Sequence, residues 1–323
     1  MRAIRVHKTG GPEVLTYEPV PDPTPGKGQA LVRLRAIGVN FIDIYYRTGV
    51  YPKDLPFIPG EEGAGTVEAV GEGVTSVHSG DRVAYTSVAG SYAERAVAPA
   101  DKLVRLPENV GFNEGAAIML QGITAQYLAT STYPIRRDDR VLIHAAAGGV
   151  GLLLVQLAKL RGATVIGTVS TEEKASLASA AGADHTILYT QTDFADEVKR
   201  ITGGRGVHAV YDSVGKDTFD RSLTCLAPRG CMVSFGQSSG KVGPFDIYRL
   251  SAGGSLFLTR PTIGHYIATR EELDARAGEV LDLVSTGKLS LRIGQILPLE
   301  EAAKAHSLLA SRKTSGKVLL VPA

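Results

Sequence analysis

The chain has 323 residues, two cysteines and a formal net charge of +2, and 44% of its residues are hydrophobic. This length favours two domains, and the balanced charge argues against nucleic acid or an anionic membrane as the main partner. Two cysteines are too few for a disulfide scaffold or for an all-cysteine zinc site. Charges interrupt the N-terminal segment, and no run of about 18 apolar residues occurs, so we expect a cytoplasmic protein without a membrane span.

The first part of the chain, up to about Pro107, has the pattern of a β-rich domain. Short apolar runs are separated by glycine and proline, as is typical of strands joined by tight turns. The predicted strands are Ala30–Ala36, Gly65–Val70, Asp81–Tyr85 and Tyr92–Pro99.

A second domain follows, in which strands alternate with helices. A helix is predicted over Asn113–Ala129, and Gly162 and Gly182 stand where later helices should end, because glycine adopts the left-handed conformation without penalty. The strands predicted between these helices are short apolar runs. Such runs are typical of a parallel sheet that is buried on both faces, so we expect a doubly wound α/β sheet. The predicted strands are Arg140–His144, Thr164–Val169, His185–Leu188, Val207–Asp212 and Cys231–Phe235.

The C-terminal part does not continue this alternation. It contains a predicted helix over Arg270–Val284, a run over Leu291–Leu297, a second helical stretch over Leu299–Ser311 and a strand over Gly316–Val321. We therefore assign it to the first domain, which becomes discontinuous. The predicted domains are 1–117 plus 261–323 and, inserted between them, a nucleotide-binding domain over 118–260.

A glycine turn follows the first strand of the second domain. After Arg140–His144 come Gly148, Gly149, Val150 and Gly151, and then an apolar helix to Leu160. Glycine at these positions lets backbone N–H groups approach a pyrophosphate at a helix N-terminus and lets the helix pack against the strand. The pattern indicates a dinucleotide site in which Ala146 takes the first glycine position.

The end of the next strand favours NADP over NAD. An NAD site usually has an acidic residue there, which binds the ribose 2′-hydroxyl, whereas Thr164–Val169 is followed by Ser170 and then by Lys174. A hydroxyl and an ammonium suit a 2′-phosphate that a carboxylate would repel. The alternative is that Ser170 is only the N-cap of a capping box with Glu173 and that Lys174 is solvated.

The segment from Asp138 to Lys159 closely resembles the signature of the quinone oxidoreductase/zeta-crystallin family, within the medium-chain dehydrogenase/reductase group. The resemblance implies a GroES-like β domain, completed by the C-terminal segment, with a Rossmann domain inserted in it. Four further motifs carry it, namely Gly38-Val39-Asn40-Phe41-Ile42-Asp43, Pro59-Gly60-Glu61-Glu62-Gly63-Ala64-Gly65, Tyr211-Asp212-Ser213-Val214-Gly215 and Ser234-Phe235-Gly236.

The same comparison implies that the reaction needs no metal. Zinc-dependent relatives have cysteine where this chain has Asn40, histidine where it has Glu61 and cysteine near Gln121. Two cysteines also cannot form the four-cysteine structural site of those relatives. We therefore expect an acceptor that takes hydride readily, such as a quinone or an activated alkene.

The resemblance implies further coenzyme contacts beyond the glycine turn. Each has an alternative: Tyr189 could be only an aromatic residue at the rim, and Arg312 could be solvated. The implied contacts are Thr124, Ser170, Lys174, Tyr189, Ser213, Phe235, Gly236, Ser238 and Arg312.

For the chemistry, we hypothesise that NADPH delivers hydride to an acceptor held beside Asn40–Tyr51. Asn40 and Arg260 would donate hydrogen bonds to the oxygen that becomes negative, and Tyr45 or Tyr51 would stack on the acceptor or donate a proton. Asp43 would orient these groups. Packing alone is the alternative for both tyrosines.

Two other functions stay open. An enone or alkenal reductase would use the same fold and coenzyme. Zeta-crystallin relatives also suggest a structural or RNA-binding protein, which the near-neutral charge disfavours. A two-fold homodimer is the expected assembly.

Overall fold

The computed structural model describes all residues, Met1–Ala323, and the chain divides into two compact units. Unit 1 comprises 1–123 and 267–323, and unit 2 comprises 124–266. The domain limits predicted from the sequence are 117/118 and 260/261, whereas the units of the structure change at 123/124 and 266/267.

Fifteen strands and nine α-helices make up the two units. The strands are β1 Arg2–Val6, β2 Leu15–Pro19, β3 Gln29–Val39, β4 Glu62–Val70, β5 Arg82–Thr86, β6 Arg95–Pro99, β7 Val104–Arg105, β8 Arg140–Ile143, β9 Thr164–Val169, β10 His185–Leu188, β11 Val207–Asp212, β12 Leu226–Ser234, β13 Phe257–Thr259, β14 Ile293–Pro298 and β15 Lys317–Val321. The α-helices are α1 Phe41–Arg47, α2 Phe112–Tyr127, α3 Gly149–Leu160, α4 Glu172–Ala180, α5 Phe194–Thr202, α6 Phe219–Thr224, α7 Tyr248–Ala252, α8 Arg270–Ser285 and α9 Ala302–Ala310.

Unit 2 is built on a six-stranded sheet in the order β10-β9-β8-β11-β12-β13. Every neighbouring pair is parallel. Helices connect successive strands, so apolar residues on the sheet, such as Leu142, Ile166 and Val210, are fully buried. The strand order reverses between β8 and β11, and in such sheets the crevice at the carboxyl ends of the strands is where ligands bind. This confirms the predicted doubly wound parallel sheet.

Unit 1 is built on a mainly antiparallel sheet of seven strands. Its order is β14-β15-β3-β4-β5-β7, and β6 pairs with β3. The C-terminal strand β15 lies between β14 and β3, parallel to the first and antiparallel to the second. The C-terminal segment, which we predicted to join the β-rich part of the chain, contributes β14 and β15 to this sheet.

Several predicted elements need correction. The strand predicted over Cys231–Phe235 begins earlier, at Leu226, and the one predicted from Tyr92 begins at Arg95. The strand β13 and the helix α1 were not predicted. Both are short, and β13 is recognisable only by its pairing with β12. No helix is both long enough and apolar enough to cross a bilayer.

Candidate coenzyme and acceptor sites

The glycine turn forms the connection between β8 and α3. Ala145 adopts a left-handed conformation (φ 51°), the Gly148 N–H donates to Ala145 O at 2.8 Å, and Gly148 is the N-cap of α3. The first N–H groups of a helix have no acceptor within it, and the helix dipole makes this end positive. At α3 these groups belong to Gly149, Val150 and Gly151, which suits a pyrophosphate.

Two contacts explain the residue types around the turn. A Cβ at Gly151 would lie 2.3 Å from Ala145 O, so only glycine allows this approach of α3 to the end of β8. Ala146, in the first glycine position of the fingerprint, is fully buried, and a Cβ at Gly167 would lie 2.7 Å from the Ala146 Cβ. Glycine in β9 therefore leaves room for the alanine side chain in the turn.

Ser170 and Lys174 lie at the carboxyl end of β9, as predicted. The N-cap of α4 is Thr171, whose hydroxyl accepts the Lys174 N–H at 3.3 Å, so the alternative in which Ser170 caps the helix is wrong. The Ser170 side chain is half-buried. Burial lowers the pKa of the half-buried Lys174 ammonium, and the neighbouring Glu173 opposes this effect. A negative ligand would offset that loss of hydration.

The loops after β11 and β12 are joined to each other. Ser238 N–H donates to Ser213 O at 3.1 Å, and Phe235 N–H donates to Asp212 O at 2.8 Å. The buried Asp212 side chain in turn accepts N–H groups of Val214 and Gly215 at 2.7 and 3.1 Å. Ser213, Phe235, Gly236 and Ser238 are thereby brought together at the carboxyl edge of the sheet. Asp212 organises them, although the sequence motif that contains it predicted no role for this residue.

Of the four remaining predicted residues outside the acceptor segment, three are in unit 2 and Arg312 is in unit 1. Tyr189 follows β10 at the same sheet edge and is 43% exposed. Arg260 follows β13, is exposed, and donates from its guanidinium to Ser234 O at 3.0 Å. Thr124 is buried in α2. Arg312 belongs to unit 1, where it follows α9 with a left-handed backbone (φ 57°).

Four of the five residues predicted to act on the acceptor lie on one segment of unit 1, and the fifth, Arg260, is in unit 2. Asn40 is the N-cap of α1, and its backbone N–H donates to the Asp43 carboxylate at 2.8 Å. The half-buried rings of Tyr45 and Tyr51 meet edge to face with 5.2 Å between centroids, and Tyr51 N–H donates to Tyr45 O at 3.1 Å. The segment is therefore ordered by its own contacts and presents two aromatic rings.

A buried hydrogen-bonded chain ends at Asp43. The Arg47 guanidinium donates to His306 Nδ1 at 3.0 Å, so the His306 proton is on Nε2, which donates to Tyr92 Oη at 2.9 Å. Tyr92 then donates to Asp43 Oδ2 at 3.1 Å. Burial, aided by Arg47, lowers the pKa of His306 to about 3, whereas burial raises the pKa of Asp43 to about 7. Asp43 Oδ1 is buried without a hydrogen-bond partner.

A second buried cluster contacts the Asn40 side chain. Its members are Asn40, Glu62, Gln121 and Lys317, and we call it the lysine cluster. Asn40 Oδ1 accepts from Lys317 Nζ at 2.9 Å and from Gln121 Nε2 at 3.5 Å, and Asn40 Nδ2 donates to Glu62 Oε2 at 3.0 Å and to Gly38 O at 3.4 Å. Lys317 also forms an ion pair with Glu62. Asn40 thus has protein partners for the amide that we predicted to serve a substrate.

Sequence reasoning missed the roles of Glu62 and Lys317. Glu62 stands in the Pro59–Gly65 motif beside Glu61, which occupies the position of a zinc ligand in other relatives. Glu61 itself lies beside Lys53, at 3.6 Å, and burial raises the pKa of its carboxyl. Cys225 and Cys231 are buried, and burial raises the pKa of their thiols to about 12 and about 11. No group of three or more His, Cys, Asp or Glu side chains is placed to hold a metal ion.

The chain matches two family models and many known proteins. Residues 26–108 match the alcohol dehydrogenase GroES-like domain, and residues 149–284 match the zinc-binding dehydrogenase family. A quinone oxidoreductase of Pseudomonas aeruginosa is 50% identical over 97% of both chains, and a 2-haloacrylate reductase of Burkholderia is 45% identical over 98% of both. The solved structure of Escherichia coli quinone oxidoreductase complexed with NADPH is 45% identical, with a TM-score of 0.98 over 100% of both chains.

Proposed function

The chain belongs to the quinone oxidoreductase family of medium-chain dehydrogenases and reductases, and from this membership we propose that it is an NADPH:quinone oxidoreductase. The observation that carries the proposal is the carboxyl edge of the unit 2 sheet, where the glycine turn follows β8, and Ser170 and then Lys174 of α4 follow the neighbouring strand β9. When bound, NADPH supplies the hydride. With one proton from solvent or protein, the quinone becomes a hydroquinone and NADP⁺ is left.

Turnover with quinones tests this proposal. The full chain is mixed with NADPH or NADH and a simple benzoquinone or naphthoquinone, and oxidation of the reduced nicotinamide is followed by its absorbance. We expect turnover with NADPH and a clear preference for it over NADH. Absence of turnover with every quinone and enone would refute the proposed activity, and a preference for NADH would refute the coenzyme assignment.

Lys174 and Ser170 are the residues that we propose for the 2′-phosphate. Replacing Lys174 by Ala removes a charged partner of that phosphate, and we expect the Kd for NADPH to rise about tenfold while the Kd for NADH changes little. Ser170→Ala should have a smaller effect in the same direction. Lys199→Ala, an exposed lysine on α5, is the matched control and should leave both affinities unchanged. Equal losses for NADPH and NADH would exclude this role.

We propose that the reaction needs no metal, and the lysine cluster supports this. Asn40 and Gln121, at two positions where zinc relatives have ligands, are hydrogen-bonded to each other, and Asn40 contacts the Lys317 ammonium at 2.9 Å. Asn40 Oδ1 already accepts two hydrogen bonds, from Lys317 and Gln121, so neither of its lone pairs is left for a metal ion. Dialysis against a strong chelator should therefore leave turnover unchanged. If the chelator abolishes turnover and added zinc restores it, the proposal that the reaction needs no metal is wrong.

For the acceptor we propose the segment that carries Asn40, Tyr45 and Tyr51. The two rings offer aromatic surface and hydroxyl groups to an electron-poor ring. Tyr51→Phe tests the hydroxyl group and Tyr45→Leu tests the ring. The control is Tyr17→Phe, on strand β2 of unit 1. We further propose Arg260 as a hydrogen-bond donor and Asp43 as the residue that orients the segment. Full activity in Asn40→Ala, Tyr51→Phe and Arg260→Ala would remove this assignment.

Reduction of an activated alkene is a second candidate. The specific observation in its favour is the similarity to the Burkholderia 2-haloacrylate reductase over nearly the whole chain. Comparing kcat/KM for a benzoquinone, a simple enone and 2-chloroacrylate at one NADPH concentration discriminates the two. A higher value for the enone or the haloacrylate would replace quinone reductase by alkene reductase as the function.

We propose that a second copy of the chain covers the edge of the unit 2 sheet. Strand β13 is the last strand of that sheet, and its Phe257 is 62% exposed; Ile247 and Tyr248, shortly before it in the chain, are 77% and 71% exposed. An apolar edge strand is a template for pairing, and two-fold pairing of two copies would bury it. Phe257→Asp should convert a dimer to a monomer in light scattering, and Ile296→Asp on the edge strand β14 should not. A monomeric wild-type protein would refute the pairing.

The cytoplasm is the location that we propose. NADPH and two unpaired, buried cysteines both suit a reducing compartment. A small molecule rather than RNA is the proposed partner, since lysine and arginine (35) barely outnumber aspartate and glutamate (33). Retention on RNA that NADPH competes away would contradict this.

A further inference from the structure

We propose that Lys317 and Glu62 are positioning residues for the reduction, because together they fix the orientation of the Asn40 side-chain amide. This inference rests on the proposed function, in which the segment that begins at Asn40 binds the acceptor. Neither residue is predicted to have a role by the sequence alone, and neither faces solvent: their side chains are 2% and 0% exposed.

Stability alone is a poor explanation for this ion pair. Removing two charges from water is costly, and apolar residues of similar volume often replace a buried ion pair without loss of stability. A buried pair of opposite charges is more useful for selecting one arrangement of the groups around it. Here the group that both charges contact is the Asn40 amide.

The chemistry of the partners permits only one orientation of that amide. An ammonium has donors and no acceptor, so the Asn40 atom 2.9 Å from Lys317 Nζ must be the oxygen. A carboxylate has acceptors and no donor, so the atom 3.0 Å from Glu62 Oε2 must be the nitrogen. The reversed amide would place hydrogens against the ammonium and oxygen against the carboxylate, losing both charge-assisted hydrogen bonds.

The orientation of Asn40 matters because it is the first residue of the proposed acceptor segment. Asn40 is the N-cap of α1, and its backbone N–H binds Asp43 within the same helix. Glu62 Oε1 also accepts the Leu120 N–H of α2 at 2.6 Å, next to Gln121. One carboxylate therefore joins β4, the start of α1, the middle of α2 and, through Lys317, the strand β15.

The strand β3 has a glycine, Gly38, where the Glu62 carboxylate comes close to the backbone. A Cβ at Gly38 in β3 would lie 2.1 Å from Glu62 Oε2 and 2.7 Å from Ala116 O. Any larger residue at position 38 would displace the carboxylate from Asn40. Gly38 belongs to the same short motif as Asn40, so the local sequence is compatible with this placement of Glu62.

The first experiment is Lys317→Met in the full chain, which keeps the aliphatic length and removes the ammonium. We expect kcat for quinone reduction to fall about ten- to a hundredfold, because small misplacements near a reacting centre lower the rate by such factors. The Kd for NADPH should be unchanged. The matched control is Lys304→Met, an exposed lysine of α9 in the same unit, which should retain wild-type kcat. Wild-type kcat in Lys317→Met would overturn the inference.

Lys317→Met leaves the Glu62 carboxylate buried without its cation, so it can also lower stability. The double variant Glu62→Gln with Lys317→Met separates the two effects. In it the Leu120 N–H still needs an acceptor, so the oxygen of the new amide turns to Leu120 and its NH₂ faces Asn40. The two charges then no longer fix the Asn40 amide, and only the long contacts with Gly38 O and Gln121 Nε2, at 3.4 and 3.5 Å, still favour its original orientation. We expect thermal stability to recover toward that of the wild type while kcat stays low.

Nuclear magnetic resonance observes the Asn40 side-chain amide independently of turnover. The ¹H–¹⁵N signals of the Asn40 side chain are assigned by their loss in Asn40→Asp, and we expect them to shift between the wild type and the double variant. Unshifted signals, or recovery of both stability and kcat in the double variant, would overturn the inference. A wild-type protein without any reductase activity would instead refute the proposed function, while the signals would still test the orientation.

Discussion

Replacing Asp43 by Asn should change how the stability of unit 1 depends on pH. Asp43 and His306 belong to a buried chain that runs from Arg47 through Tyr92. Asparagine has nearly the same shape and still offers an oxygen to the Asn40 N–H and to Tyr92. The variant therefore removes one ionisable group and leaves the rest of the chain in place.

The two groups act in opposite directions. The folded pKa of Asp43, about 7, lies above its ordinary 3.8, so its contribution is fully present below 3.8 and is lost as the pH rises through about 7. The folded pKa of His306, about 3, lies below its ordinary 6.5, so its contribution is present above 6.5 and is lost as the pH falls through about 3. Between about pH 4 and 6.5 each group changes the free energy of unfolding by about 1.4 kcal/mol per pH unit, with opposite sign.

In the wild type these two slopes nearly cancel each other, and Asp43→Asn removes the slope of Asp43 while leaving that of His306 and of other groups, such as Glu61, in place. Relative to the wild type, we expect the free energy of unfolding of the variant to fall by about 1.4 kcal/mol per pH unit as the pH falls from about 7 to 4. The difference between the two proteins should change by about 4 kcal/mol from pH 4 to 7 and then become constant. An unsatisfied NH₂ at the Oδ1 position would shift the variant by a constant amount, which leaves the slope unaffected.

Urea unfolding followed by circular dichroism, at steps of about half a pH unit, measures this difference. The two units call for a fit that allows an intermediate. Taking the difference between the proteins removes every group that titrates identically in both. A difference that stays constant between about pH 4 and 7 would show that Asp43 is not a buried group that binds a proton near neutral pH, and the reasoning would be refuted.

Three further predictions concern stability and reactivity. Gly151→Ala should abolish NADPH binding or unfold unit 2, because the Cβ would lie 2.3 Å from Ala145 O; near-normal affinity by fluorescence titration would contradict this. Thr171→Ala should lower the free energy of unfolding by about 1 kcal/mol through loss of the N-cap of α4, measured in urea, whereas Thr171→Ser should not. Cys225 and Cys231, whose pKa values burial raises to about 12 and about 11, should react with a disulfide reagent only after unfolding, and rapid labelling of the native protein would argue against their burial.

Much of unit 2 could be predicted from the sequence because its signals are local. The strands β9, β10 and β11 have the predicted bounds, since each is a short segment with aliphatic residues and is followed by a residue that has a hydroxyl group. Strand β13 has no such signal: Phe257 and Leu258 are exposed, and three residues have no periodicity. Its place depends on pairing with β12, which no local pattern reveals.

The site residues also divide into those that have a local sequence signal and those that do not. The glycine turn, Ser170 and Lys174 could be proposed from the sequence because they follow predicted strands. The helix α1 was missed although Asn40 and Asp43 have the spacing of a capping pair, which could have been noticed. The pair Glu62 and Lys317 could not be found, because 255 residues separate them and a single sequence contains no record of such a contact.

The position of β15 has a consequence for synthesis of the protein. The sheet of unit 1 has a gap between β14 and β3 until residues 317–321 have been made, and until then the Glu62 carboxylate has no ammonium beside it. Unit 2, from 124 to 266, is complete much earlier in translation. A nascent chain can therefore form its coenzyme-binding sheet while the β-rich unit is still open, and the strand that closes that unit also brings the cation of the lysine cluster.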